Sequence, residues 1–129
     1  MVTRNPEESG IRSYKDLLVW QRSMHMGLAI YAVTEAFPVR ERFGLSAQMR
    51  RAAISVPSNI AEGHARGTRS YLQFLLVASG SNAELDTQLI LARALKMGDP
   101  QKLDEASQLS AEVGKLLGAL ISRLRQKIS

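Results

Sequence analysis

Cysteine is missing from these 129 residues. Disulfides, thiolate nucleophiles and cysteine-based zinc sites are therefore excluded. Aromatic residues are scarce, at 5%. Stacking on nucleic-acid bases is thus expected to contribute little, since Tyr71 and Phe74 fit a core better. No uninterrupted apolar run approaches the ~20 residues that span a bilayer, so no membrane association is expected. The polar start MVTRNPEESGIRS carries no apolar h-region of a secretory signal, which makes a cytoplasmic location the expectation. Alternating strand patterns are absent as well, leaving an all-α reading.

What is present describes a single domain, large enough to bury a core without staples. Hydrophobic residues make up 45% and charged residues 22%, ordinary values for a globular chain. Lys and Arg number 17 against 12 Asp and Glu, a net charge of +5 with pI ≈ 10.0. That balance favours polyanionic partners, RNA or DNA first among them.

Residues 1–13, with Pro6 and Gly10, read as a flexible lead, and residues 14–129 as the bundle domain. Ser13 with Asp16 suggests a capping box opening a first helix from Tyr14 to about Ala36, which Phe37-Pro38 ends. Two apolar stripes run along it. Leu17, Trp20, Met24, Leu28 and Tyr31 form one and are taken as its core face. Met26, Ile30, Val33 and Phe37 form the other. The second stripe admits a wide core face or a subunit interface, and the interface is the preferred reading.

The second helix, Leu45 to about His64, buries Leu45, Met49, Ala52, Val56 and Ile60. Pro57 lies within it and cannot donate to the carbonyl of Ala53, which predicts a kink or a break into two short helices. A third helix is expected from about Arg69 to Met97, with Gly67 as a stop and Thr68 as N-cap. Its core positions are Tyr71, Phe74 or Leu75, Ala78, Leu85, Ala92 and Leu95, and Gly80 suggests close approach of a neighbour. Asp99-Pro100 opens a last helix whose Leu103, Ala106, Ser110, Val113, Leu117, Leu120 and Leu124 make a heptad-like seam. Short connections between four helices predict an up-down-up-down antiparallel four-helix bundle.

No catalytic constellation is recognisable. His25 and His64 lie outside any metal-binding motif, and Glu62 and His64, two apart, point in different directions on a helix. The serines lack an identifiable base and orienting group. A non-enzymatic protein without cofactor or metal is therefore expected. On the second helix Gln48, Arg51, Ser55, Asn59, Glu62 and Arg66 form a polar stripe. Gln48, Arg51, Asn59, Glu62 and Glu84 are read as a structural network between the second and third helices. Arg40, Arg42, Arg50, Arg66 and Arg69 are the candidate nucleic-acid contacts, with a solvated surface as the competing reading.

Several motifs carry a family resemblance. Tyr14-Lys15-Asp16-Leu17, Val19-Trp20-Gln21, Glu41-x-Phe43-Gly44-Leu45, Arg50-Arg51-Ala52-Ala53, Ser55-Val56-Pro57-Ser58-Asn59-Ile60-Ala61-Glu62-Gly63 and Ser79-Gly80-Ser81-x-x-Glu84-Leu85 resemble the bacterial four-helix bundle proteins encoded by intervening sequences in large-subunit ribosomal RNA genes. The resemblance covers Tyr14 to Leu124 and is most specific around Pro57. It implies a bundle that assembles into a ring-like homo-oligomer, a homopentamer. It also implies kinship with the accessory protein of diversity-generating retroelements, a basic pentamer that engages a reverse transcriptase and nucleic acid. Two functions follow as expectations: a basic oligomer that binds RNA or DNA, or a protein–protein adaptor for a nucleic-acid enzyme such as a reverse transcriptase.

Overall fold

The computed structural model describes residues 10–128. Residues 1–9 of the expected N-terminal lead, and Ser129, lie outside the described residues. The described chain is all-helical, with four long helices and no strand among the described residues: α1 (Leu18–Glu35), α2 (Leu45–Arg66), α3 (Thr68–Ala94) and α4 (Pro100–Ile128). Each packs against two others, α1 and α3 both lying between α2 and α4.

Ser13 does cap, although what it caps is a separate 3₁₀ turn, Tyr14–Asp16. Its Oγ accepts from the Lys15 N–H, and the Asp16 carboxylate accepts from the N–H groups of Arg12 (2.8 Å) and Ser13 (3.3 Å). Extended backbone at Leu17 (ψ 127°) separates this turn from α1. The α1 faces are exchanged relative to the sequence reading. Met26, Ile30 and Val33 are fully buried and Phe37 is 7% exposed, so none of the four expected interface residues offers a surface to another subunit. Together with Val19 they recur at the spacing of a coiled-coil seam, which Ser23 interrupts in the sequence. Ser23 is buried there at little cost because its hydroxyl donates to the Trp20 carbonyl at 2.8 Å. Of the stripe read as core, only Leu17 is buried; Met24, Leu28 and Tyr31 are exposed.

Helix α2 runs unbroken through Pro57, which is itself buried. The ring sits on the flank facing α1, where Gly27 leaves room: a Cβ at Gly27 would lie 4.0 Å from the Ala53 carbonyl that Pro57 cannot serve. A single residue, Gly67 with φ +110°, joins α2 to α3, a conformation that favours glycine. Thr68, expected as the cap, is instead the first residue of α3. Close approach occurs at Gly63, where a Cβ would come within 2.6 Å of the Phe74 Cβ, while Gly80 has open space around it. Helix α3 ends before Met97 because Lys96 (φ 57°) and Gly98 (φ 78°) turn the chain. Leu95, expected inside, is exposed, and Leu89 takes a core place instead.

The seam of α4 is buried at all seven expected positions. Asp99 accepts from the Lys102 N–H at 3.3 Å, capping the helix before its N1 proline. Fully buried Met26, Ile30, Met49, Ile60, Leu75, Leu85, Leu89 and Leu117 join these helices into one core. Each such side chain contributes on the order of 1.5–3 kcal/mol relative to exposure.

Candidate nucleic-acid interface

The five arginines singled out in the sequence do not converge. Arg40 and Arg42 lie in the connector between α1 and α2, whereas Arg66 and Arg69 flank Gly67 at the other end of α2. At ~1.5 Å per residue, α2 holds those pairs roughly 30 Å apart. Arg50 is half-buried and engaged. Its Nε donates to Thr34 Oγ1 at 2.9 Å and its guanidinium lies 4.4 Å from the Tyr31 ring centroid, tying α2 to α1. This is a structural role, which the sequence placed instead among exposed contacts. Arg66 is exposed but pairs with Glu62 at 3.2 Å, one turn back, and lies 5.2 Å from the Phe74 ring centroid.

The expected network between α2 and α3 does not form. Gln48, Arg51, Glu62 and Glu84 are all exposed. Glu62 meets Arg66 on its own helix, and Glu84 accepts from Gln88 Nε2 at 3.2 Å. Asn59 likewise bonds within its own helix, donating to the Ser55 carbonyl and to Ser55 Oγ at 2.8 and 2.9 Å. The inter-helix link comes from small residues: Ser55 Oγ and Ser81 Oγ share a hydrogen bond of 2.8 Å. A hydroxyl pair this short crosses a narrow helix interface without the desolvation cost that a buried charge pair would carry.

Arg40, Arg42, Arg51 and Arg69 are exposed and make no ion pair among the described residues. By contrast Arg22 pairs with Glu112 at 3.4 Å and Arg93 with Asp104 at 2.6 Å. The connector also holds Phe43, 87% exposed, with the Arg42 guanidinium 5.6 Å from its ring centroid. Phe43 belongs to no helical stripe, so periodicity gave no reason to single it out as a surface residue.

The other notable surface is apolar. An open groove of about 390 Å³ runs between α1 and α2, with Trp20, Met24, Leu28, Tyr31 and Ile54 along it and Gly27 and Pro57 at its floor. Leu28 is 67% and Ile54 50% exposed. Near the end of α3, Ile90, Leu91 and Leu95 are also exposed. Among the described residues no group of three or more His, Asp or Glu side chains is gathered as for a metal ion. No helix of the described residues is long and apolar enough to cross a membrane.

A basic, all-helical four-helix protein with exposed apolar side chains and dispersed exposed arginines is the class that this fold and these surfaces define. The chain belongs to the 23S rRNA-intervening sequence protein family, whose sequence profile matches residues 15–119. Its fold is similar to the crystal structure of a protein of unknown function from the S23 ribosomal protein family of Bacteroides thetaiotaomicron VPI-5482, with a TM-score of 0.74. The two are 20% identical over 81% of this chain and 96% of the other, a likeness of fold. No curated protein matches the chain.

Proposed function

We propose that this chain is a non-enzymatic, homo-oligomeric four-helix bundle protein that binds RNA or DNA through exposed arginines. The observation that carries this reading is the set Arg40, Arg42, Arg51 and Arg69, exposed and without an ion pair among the described residues. Leaving guanidiniums unneutralised in water costs little, and a polyanion releases counterions when it meets them. The up-down arrangement of the bundle is supported by its cross-helix neighbours. Thr34 meets Arg50 while Gly27 nears Ala53, Ser55 meets Ser81 while Gly63 nears Tyr71, and Asn82 meets Ser110 while Arg93 meets Asp104, so that numbering falls on one helix as it rises on the next.

Assembly into a ring, a homopentamer by family resemblance, is supported by the apolar groove between α1 and α2. Exposed Leu28 and Ile54 are large apolar side chains that a subunit contact would cover. The interface reading of α1 thus moves from Met26, Ile30, Val33 and Phe37 to Met24, Leu28 and Tyr31. The adaptor reading, a scaffold for a nucleic-acid enzyme such as a reverse transcriptase, draws its support from exposed Ile90, Leu91 and Leu95 near the end of α3. In that case a stoichiometric protein partner would be recovered and nucleic-acid affinity would be negligible at physiological salt.

The deciding experiment measures binding of a short structured RNA across a salt series, with light scattering to follow the assembly. Affinity should fall steeply and log-linearly with salt. A combined Arg40→Glu, Arg42→Glu and Arg69→Glu variant should retain its assembly and lose most of that affinity. Unchanged binding by the intact variant would sink the assignment of these arginines.

A further inference from the structure

The connector between α1 and α2 holds a phenylalanine out in water. Phe43 is 87% exposed and Val39 85%, although Phe37, six residues earlier, is buried. The segment is braced by its own backbone. The N–H of Glu41 donates to the Pro38 carbonyl (2.9 Å), that of Arg42 to Val39 (3.0 Å) and that of Gly44 to Glu41 (3.0 Å). Glu41 turns its carboxylate inward: Oε1 accepts from the Leu45 N–H at 3.1 Å, at the start of α2. That acid therefore neither covers Phe43 nor pairs with Arg40 or Arg42. Gly98, whose Cβ would come within 2.8 Å of the Phe37 ring, brings the α3–α4 turn and exposed Lys96 to this same end.

We propose that Phe43 is a stacking platform for an unpaired nucleobase, with Arg40 and Arg42 holding the adjoining phosphates, so that this end of the bundle takes single-stranded nucleic acid. The inference rests on the nucleic-acid reading above and names its substrate class. A duplex hides the faces of its bases in its own stack, and a protruding ring can reach only a base that is already unpaired. Stacking is indifferent to sequence, which agrees with a surface that carries no base-reading element in a groove-sized arrangement. An apolar socket on another protein fits less well. Docking Phe43 there would carry two unneutralised guanidiniums out of water, whereas a polyanion supplies a counter-charge for both.

The test uses the full chain with two labelled probes, an oligouridine of about a dozen nucleotides and a blunt-ended, fully paired RNA duplex of about the same length, read by fluorescence anisotropy at low salt. Phe43→Ala should weaken oligouridine binding roughly tenfold and leave duplex binding unchanged, whereas Phe43→Trp should restore oligouridine binding. Arg40→Glu with Arg42→Glu should weaken both probes. Oligouridine binding unaffected by Phe43→Ala, with the arginine variant still impaired, overturns the stacking role and leaves the basic-surface reading standing. A wild-type chain that binds neither probe overturns both. Loss of the assembly in Phe43→Ala, followed by light scattering, overturns the proposal in favour of a subunit contact at Phe43.

Discussion

Asn82 on α3 and Ser110 on α4 bind one another reciprocally: the Asn82 side-chain N–H donates to the Ser110 carbonyl at 3.0 Å, and the Ser110 hydroxyl donates to the Asn82 carbonyl oxygen at 3.3 Å. Both residues are buried, at 6% and 2% exposure. A polar pair inside an apolar seam is stable only in the register that lets it close. Asn82→Ala should therefore cost about 1–3 kcal/mol, because it leaves the Ser110 hydroxyl buried without its acceptor. Urea denaturation checks this, and Asn82→Ala with Ser110→Ala should recover part of the loss.

Two glycines should respond in opposite directions. At Gly63 an added Cβ meets the Phe74 Cβ at 2.6 Å and the Tyr71 backbone at 3.3 Å, so neither neighbour can swing away. Gly63→Ala should destabilise by about 1–3 kcal/mol through overpacking. At Gly80, exposed within α3, nothing lies within 4 Å. Gly80→Ala should stabilise by roughly 0.5–1 kcal/mol, since alanine loses less backbone entropy in a helix. Thermal melts of the two single variants provide the comparison.

The two faces of α1 predict a separation of phenotypes. Met26 is fully buried, and Met26→Ala should lose about 2–5 kcal/mol of stability. Leu28 is 67% exposed, so Leu28→Arg should leave the helical circular dichroism intact while lowering the mass measured by light scattering. An unchanged mass for Leu28→Arg would remove the groove from the assembly interface.

Asp16 gives a pH dependence. The N–H groups of Arg12, first, and Ser13 hold its carboxylate below the ordinary carboxylate value of about 3.9. A pKa depressed by folding means that the unfolded chain binds the proton more readily. Its stabilising contribution is thus present above the ordinary value and is lost as pH falls through the lower, folded one. The amide resonances of Arg12 and Ser13 should shift together in acid, with a midpoint below that of an ordinary aspartate. Asp16→Asn should abolish the shift.

How much of this was legible in the sequence depended on whether a helix carried one apolar stripe or two. Helix α4 sets a single stripe among charges, so all of its buried positions but Ile121, which lies beside Leu120, could be named in advance. Helix α1 carries two of similar hydrophobicity. The aromatic-rich one looked more like a core, while Ser23 made the true seam look broken, and only the packing of α2 and α4 decides between them. The polar stripe of α2 was correctly seen as one face, but periodicity fixes which residues share a face and not what that face meets. Glu62 found its cation one turn away on the same helix, at no cost in burial, and Arg50 found Thr34 and Tyr31 across the groove. Phe43 belongs to a connector, where no period exists to single out a residue as exposed.

The chain has one tryptophan, Trp20, and it borders the α1–α2 groove with its ring edge-on to Tyr14 at 5.3 Å. The intrinsic emission of the protein is thereby a local probe of that groove: covering it should dry the indole and move its spectrum to the blue. The connector bearing Phe43 contains no tryptophan and stays dark. Subunit association and events at the connector can accordingly be followed in one sample of unlabelled protein, the first by emission colour and the second by the anisotropy of an added labelled strand.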